Sequence, residues 1–144
     1  MNIEEITRNP EIEPTLFNKL AELLFNDLPA GIEMFKTKDT AVGFVRAMDS
    51  VVESSTANDN KISQERFLQL GSAVGEAFII IFGGKWKFSE QQMRWVVACS
   101  AKNGDIIDVN VFNKLRKRIE NGEEDSISYF FDNNKAIIEG VMNF

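Results

Sequence analysis

Apolar periodicity in this chain changes character once, at Gly83-Gly84, and that change limits the folds open to it. Upstream, apolar residues recur at steps of three and four. Downstream, Lys85-Trp86-Lys87-Phe88 alternates as a half-buried strand does. One face of a helix cannot be built on a period of two, nor a strand on 3.6, so helices must be combined with a sheet. In the upstream half, Leu16, Leu20, Leu23 and Leu24, widened by Phe17 and Phe25, mark a first helix. It opens at Pro14, whose missing N–H costs nothing in a first turn, and ends in the turn-prone stretch 26–31. A second helix is expected from Asp39 as N-cap, with Val42, Val45, Met48 and Val52 on one face, and a surface loop over 54–60 follows it. Ser63 caps a third, with Ile62 and Phe67 placed for a hydrophobic staple and Leu70, Val74, Phe78 and Ile81 continuing its face. Its end, Ala77 to Phe82, is apolar on every side and predicts a buried helix end, with a strand as the competing reading.

Beyond Gly84, strands are expected at Lys85–Phe88, Trp95–Ala98 and Ile106–Val109, and Asn103-Gly104 predicts a two-residue type I′ turn. Phe112, Leu115 and Ile119 form the stripe of a short helix ending at Asn121-Gly122. A last helix opens near Asp125 or Ser126 and carries Ile127, Phe130, Phe131, Ile137, Ile138 and Val141. The expected fold class is α+β: N-terminal helices packed on one face of a small antiparallel sheet of about three strands, followed by C-terminal helices. The 144 residues suffice for one domain, 1–144, that buries about two thirds of the surface of its unfolded chain. Residues 1–13, acidic and punctuated by Pro10, are expected as a flexible N-terminal segment.

Composition removes much of the familiar catalytic chemistry. The chain has no histidine and one cysteine, Cys99, so a Cys–His or Ser–His pair is impossible and zinc ligation has a single soft donor to draw on. A lone cysteine makes no internal disulfide and fits a reducing compartment. Met1 to Ile6 is acidic without an apolar core, and the longest apolar run is the six residues 77–82. A bilayer span needs about 20, so neither a signal peptide nor a membrane helix is expected and the cytoplasm is the expected location. Gly83-Gly84-Lys85 hints at a phosphate loop, but Ile79 stands where its first glycine would be and Trp86 replaces the Ser/Thr. Asn58-Asp59-Asn60 and Asp132-Asn133-Asn134 lack the Gly and Glu of a calcium loop and read as turns or solvated helix ends. No catalytic residue, metal site or cofactor is expected.

Charged candidates remain. Glu76 has Ser72, Ala73, Ile79 and Ile80 as its helical neighbours, so its carboxylate is either desolvated or tied to a cation, with Arg94, Arg116 and Arg118 as candidate partners. Lys85 and Trp86 complete the candidate polar site around it. Lys114, Arg116, Lys117 and Arg118 form the one basic cluster, and with Leu115 turned inward they read as a solvated helix end rather than a nucleic-acid surface. Residues 1–72 hold 12 acids against 7 bases, and residues 73–144 hold 10 against 9, within a net charge of −6. Such a balance disfavours nucleic acid and anionic membranes as partners and suits a basic protein, with plain solubility as the alternative reading.

The residues Leu70-Gly71, Gly75-Glu76, Gly83-Gly84-Lys85-Trp86, Lys117-Arg118 and Asn121-Gly122 together resemble the "LGxxxGE … GGxW … KRxxNG" run of a group of small bacterial domains of unknown function. The resemblance covers residues 67–130, with Asn110-Val111-Phe112 departing from an expected Asn-Pro-Phe-like turn. Several members of that group look like immunity proteins encoded beside secreted toxins, and the resemblance carries over no catalytic residues. The expected function is therefore a noncatalytic protein-binding module, in its specific form a toxin-neutralising immunity protein. The alternatives are a small-ligand or enzymatic pocket around Glu76, and a structural or assembly protein.

Overall fold

The computed structural model describes residues 2–27, 37–56 and 62–140. Their elements are α1 (Ile3–Thr7), α2 (Thr15–Asn26), α3 (Lys38–Thr56), α4 (Gln64–Phe82), β1 (Lys85–Ser89), β2 (Arg94–Ser100), β3 (Ile106–Val109), α5 (Val111–Asn121), a 3-10 turn (Gly122–Asp125) and α6 (Ile127–Ile138). The arrangement is α+β, with helices, then a three-stranded antiparallel sheet, then helices.

Helix α4 is the axis of the molecule and packs against α1, α2, α3, α5 and β2. Ser63 caps it, its hydroxyl accepting from the Arg66 N–H at 3.0 Å. Every residue from Phe67 to Gly75 is buried. The helix end is less enclosed than its sequence predicts. Ala77 and Phe78 are buried, but Ile79 to Phe82 are only half-buried. That last turn reaches the edge of the helical layer, where the rings of Phe78 and Phe82 meet Phe131 at 5.7 Å.

The other helices show where periodicity held and where it slipped. In α2 the buried stripe is Phe17, Leu20, Ala21, Leu24 and Phe25. Leu23 falls outside it and is exposed, because a stripe centred on Phe17, Leu20 and Leu24 turns position 23 toward solvent. Thr37, not Asp39, closes the start of α3: Thr37 and Thr40 exchange N–H to Oγ1 hydrogen bonds, both 3.1 Å. Asp39 lies in the first turn, where its charge suits the helix dipole. The same helix runs on through Ser54, Ser55 and Thr56, read from sequence as loop, and the Thr56 hydroxyl donates back to the Val52 carbonyl at 3.0 Å. Asp132, Asn133 and Asn134 likewise lie within α6 rather than in a turn or at its end. The expected turn residues 28–31 and 57–60, and Val141, lie outside the described residues.

The strands run in the order β1-β2-β3, with Trp86 opposite Val97, Phe88 opposite Trp95 and Val97 opposite Val109. Alternation sends Trp86, Trp95, Val97, Cys99 and Val109 into the core with the helices. The β2–β3 connection is not the expected two-residue turn. Ala101 N–H donates to the Asp105 carbonyl at 2.8 Å and Gly104 N–H to the Ala101 carbonyl at 3.0 Å, which closes a three-residue loop. Only Gly104 takes a positive φ, +92°, so Asn103 is free to accept from Asp105 N–H through its side chain at 2.9 Å. A turn followed by one left-handed residue suits strand twist as well as a type I′ pair does. At the other end of the chain, residues 2–13 dock on the body. Ile3 N–H donates to Gln64 at 2.9 Å, the Trp95 indole N–H donates to the Asn9 carbonyl at 2.7 Å, and Ile3, Ile6 and Ile12 pack against the core.

Two glycines make this assembly possible. Gly71 and Gly75 sit on one face of α4, and a Cβ on either would lie well inside van der Waals contact of a ring: Phe112 for Gly71, Trp86 for Gly75. Aromatic side chains fill the notch. Phe112 and Trp86 stack there at 5.8 Å, and Phe17 joins Trp86 at 4.4 Å and Trp95 at 5.5 Å. Gly75→Ala and Gly71→Ala should each lower stability by about 1–3 kcal/mol through overpacking. Gly43→Ala, on the exposed side of α3 with nothing near its added methyl, should raise it by about 0.5–1 kcal/mol. Urea unfolding of the three variants checks both signs.

Candidate functional site

Glu76 follows Gly75 directly, so its side chain leaves α4 beside the Trp86 ring that fills the glycine notch. Its Oε2 accepts the Trp86 indole N–H at 2.8 Å, and its Oε1 accepts the side-chain amide of Asn18 on α2. The expectation of a cation beside Glu76 is not met. Both oxygens are held by neutral donors, while Arg116 pairs with Glu4 and Arg118 with Asp49 and Glu53. Lys85 does not join either. As the strand neighbour of Trp86 it points to the opposite face of the sheet. There it lines a shallow depression of ≈ 350 Å³ with Gly83, Lys87, Ala98, Ser100 and Ile106. Of the candidate set around Glu76, the structure brings together Glu76 and Trp86 and adds Asn18.

The basic cluster on α5 is not a solvated face. Arg118 is buried, 2% exposed, on the same side of the helix as Leu115. Its Nε donates to Asp49 Oδ1 and its Nη2 to Glu53 Oε1, both at 2.8 Å. Lys114 pairs with Asp125 at 3.1 Å, and Arg116 reaches Glu4 on α1 at 2.8 Å. Of the four cations, Lys117 alone is exposed. A guanidinium carries its charge on a long apolar stem, which lets one arginine occupy a core-facing position when carboxylates meet it there.

Asp49 is the hub of that network and was not singled out from sequence. Besides Arg118 it accepts the backbone N–H groups of Ile127 at 2.9 Å and Ser128 at 3.2 Å, and the Ser126 hydroxyl at 3.0 Å. It thus caps the first turn of α6 from a neighbouring helix. Burial pushes the Asp49 carboxyl up, but the bonds from Ile127, Arg118, Ser128 and Ser126 together outweigh it and hold the group below its ordinary value. The available signal was a carboxylate between Val45 and Val52 on the apolar stripe of α3, the same kind of signal that picks out Glu76. Glu53, Arg118, Glu120, Asn121 and Gly122 line an open groove of ≈ 530 Å³ beside the network.

Arg8 and Arg116 share a third carboxylate: Glu4 forms an ion pair with Arg8 at 2.5 Å and accepts from Arg116 at 2.8 Å, and the charges of Arg8, Glu4 and Arg116 bear on the half-buried Arg94. Cys99 is buried on the core face of β2, and burial, with the charge of Asp108, pushes its thiol up to about 11. It is a protonated thiol at neutral pH, a poor nucleophile and a poor metal ligand. Among the described residues no three His, Cys, Asp or Glu side chains are grouped to hold a metal ion, and no helix is long and apolar enough to cross a membrane. The sequence matches no protein-family model, and comparison with curated proteins and with solved structures returns no match.

Two outcomes follow from these geometries. Glu76→Gln turns an amide N–H₂ toward a donor that the carboxylate had accepted, and should lower stability by about 1–3 kcal/mol in urea unfolding. Asp49 has a folded pKa below its unfolded value near 3.8, so its contribution is present above that value and is lost as pH falls through the lower folded one. Asp49→Asn should cost about 3 kcal/mol near neutrality, by leaving buried Arg118 short of a counter-charge. It should also flatten the acid limb of a stability–pH profile below about pH 4.

Proposed function

We propose that this chain is a noncatalytic module that binds a basic protein, in its specific form an immunity protein that neutralises a toxin. The observation that carries the reading is the use made of Glu76. Both oxygens of the one carboxylate that sequence marks as a candidate acid are occupied by Asn18 and Trp86, which makes it a tie between α2, α4 and β1. Cys99, held protonated in the core, supports the same reading. The resemblance in residues 67–130 supports the immunity-protein form.

Charge supports the choice of partner. Glu5, Glu11, Glu13 and Glu22 are exposed along α1, α2 and the connection between them, and make no ion pair among the described residues. Unpaired surface carboxylates draw in a cationic partner at long range and raise its association rate. The same field repels nucleic acid and anionic lipid, so neither belongs to the proposed partners. A cytoplasmic setting, where a lone thiol stays reduced, completes the reading.

The test uses the protein encoded by the adjacent gene, with association rates measured at several salt concentrations. The rate should fall steeply with salt. The combined change Glu5→Lys, Glu11→Lys, Glu13→Lys and Glu22→Lys should lower it about tenfold or more at low salt, with the unfolding midpoint little changed. No binding, or a rate indifferent to both salt and charge reversal, overturns the proposal. So does substrate turnover by the purified protein that is lost in Glu76→Gln while its fold is retained.

A further inference from the structure

The C-terminal ends of α3 and α5 share the walls of the ≈ 530 Å³ groove: Val52, Glu53 and Thr56 from one, Arg118 to Asn121 from the other. Each helix end carries the negative pole of its macrodipole. No basic residue stands in the last turn of α3, and Arg118 is the only one in that of α5. Its charge is already committed, with Nε on Asp49 and Nη2 on Glu53, both at 2.8 Å. Glu53 keeps its Oε2 without a partner among the described residues, and its side chain is 59% exposed. Glu120 is exposed and makes no hydrogen bond or ion pair among them. Lys117 is exposed but is not part of the wall.

The carboxylates of Asp49, Glu53 and Glu120 thus stand against one guanidinium, which leaves a negative excess beside two negative helix ends. One donor also meets the groove. Nη1 of Arg118 has no partner among the described residues, in a side chain that is 2% exposed. The side-chain polar atoms sealed without a partner among the described residues are Gln69 Oε1 and Ser72 Oγ. Nη1 is therefore not sealed, and it opens on the groove that Arg118 lines. Val52 and Ile119 add apolar wall, which suits the methylene stem of a long cationic side chain. We infer that this groove takes a lysine or arginine side chain of the basic protein partner, its cation on Glu53 and Glu120 and a peptide carbonyl of the same segment on Arg118 Nη1. A free amine or a metal ion would meet the carboxylates but leave Nη1 unanswered. The inference rests on the proposed protein partner and names where that partner docks.

The experiment titrates the full chain with the peptide acetyl-Gly-Lys-Gly-amide, following the backbone amide resonances of Glu53, Glu120 and Asn121 and the Arg118 Nε–H. Saturable shifts confined to these groups are expected. The same peptide with norleucine in place of lysine, equal in length but uncharged, should give none. n-Butylamine, which has the cation but no carbonyl, should bind more weakly than the lysine peptide. Glu120→Lys breaks no bond among the described residues, so it should keep the parent's unfolding midpoint while weakening the lysine peptide about fivefold. The protein encoded by the adjacent gene supplies a second arm. There Glu120→Lys should speed dissociation about fivefold or more, because a cation desolvated in a groove acts on the off-rate. Reversal of Glu5, Glu11, Glu13 and Glu22 acts on association instead. No saturable response to the lysine peptide, an equal one to the norleucine peptide or to n-butylamine, or shifts spread over α1 and α2 overturns the inference. So does dissociation of the bound adjacent-gene product that is indifferent to Glu120→Lys, and the proposed partner then stands without this groove. An adjacent-gene product that does not bind, beside a lysine peptide seated in the groove, removes that protein as the partner and retains the groove as a lysine site.

Discussion

The fold depends on a close fit between two rings and a helix stripped of side chains. Gly71 and Gly75 leave α4 bare along one face, and Phe112 and Trp86 occupy the space that two methyl groups would take. A ring lying directly on a helix backbone gains dispersion contact that a longer spacing would forfeit. It also sets the distance between layers, because α5 brings Phe112 and β1 brings Trp86. The sheet, the helix before it and the helix after it therefore meet at one place. Glu76 completes the fit. Trp86 needs an acceptor for its indole N–H when buried, and the residue after the second glycine supplies one while also holding α2 through Asn18.

A second anchor ties the parts of the molecule that the aromatic stack does not reach. Arg118, Asp49 and Glu53 join α5 to α3, and Asp49 carries the connection on to the first turn of α6. Buried ion pairs are a weak source of net stability, since desolvation offsets most of the attraction. Their effect here is positional. Four donors from two segments, α5 and the start of α6, must converge on one carboxylate, and a shifted α6 would leave two backbone N–H groups without acceptors.

These two anchors absorb the side chains that looked most reactive from sequence. Glu76 and Arg118 are consumed inside the molecule, and Cys99 is sealed beneath the sheet. What remains for contact with other molecules is distributed over the surface. Exposed carboxylates line α1 and α2, lysines occupy the sheet face turned away from the helices, and Arg8 and Arg116 pair with Glu4.

Local rules carried the architecture. Element types, the three strands, the Ser63 cap and the stop at Gly83 follow from periodicity and terminal chemistry, because these act over a few residues and are written next to one another in the chain. Even the misplacements, Leu23 and the end of α3 at Thr56, are shifts of a stripe or a boundary. The pairing of charged side chains was not legible. Arg116 and Glu4 are 112 positions apart, and Arg118 and Asp49 are 69 apart. Their meeting depends on how whole helices are set against each other, which no local pattern encodes. A carboxylate on an apolar stripe, at Glu76 or Asp49, announces in sequence that a donor must be found for it. Only the packed structure decides which donor answers, because that choice is made by geometry between elements and not by any residue alone.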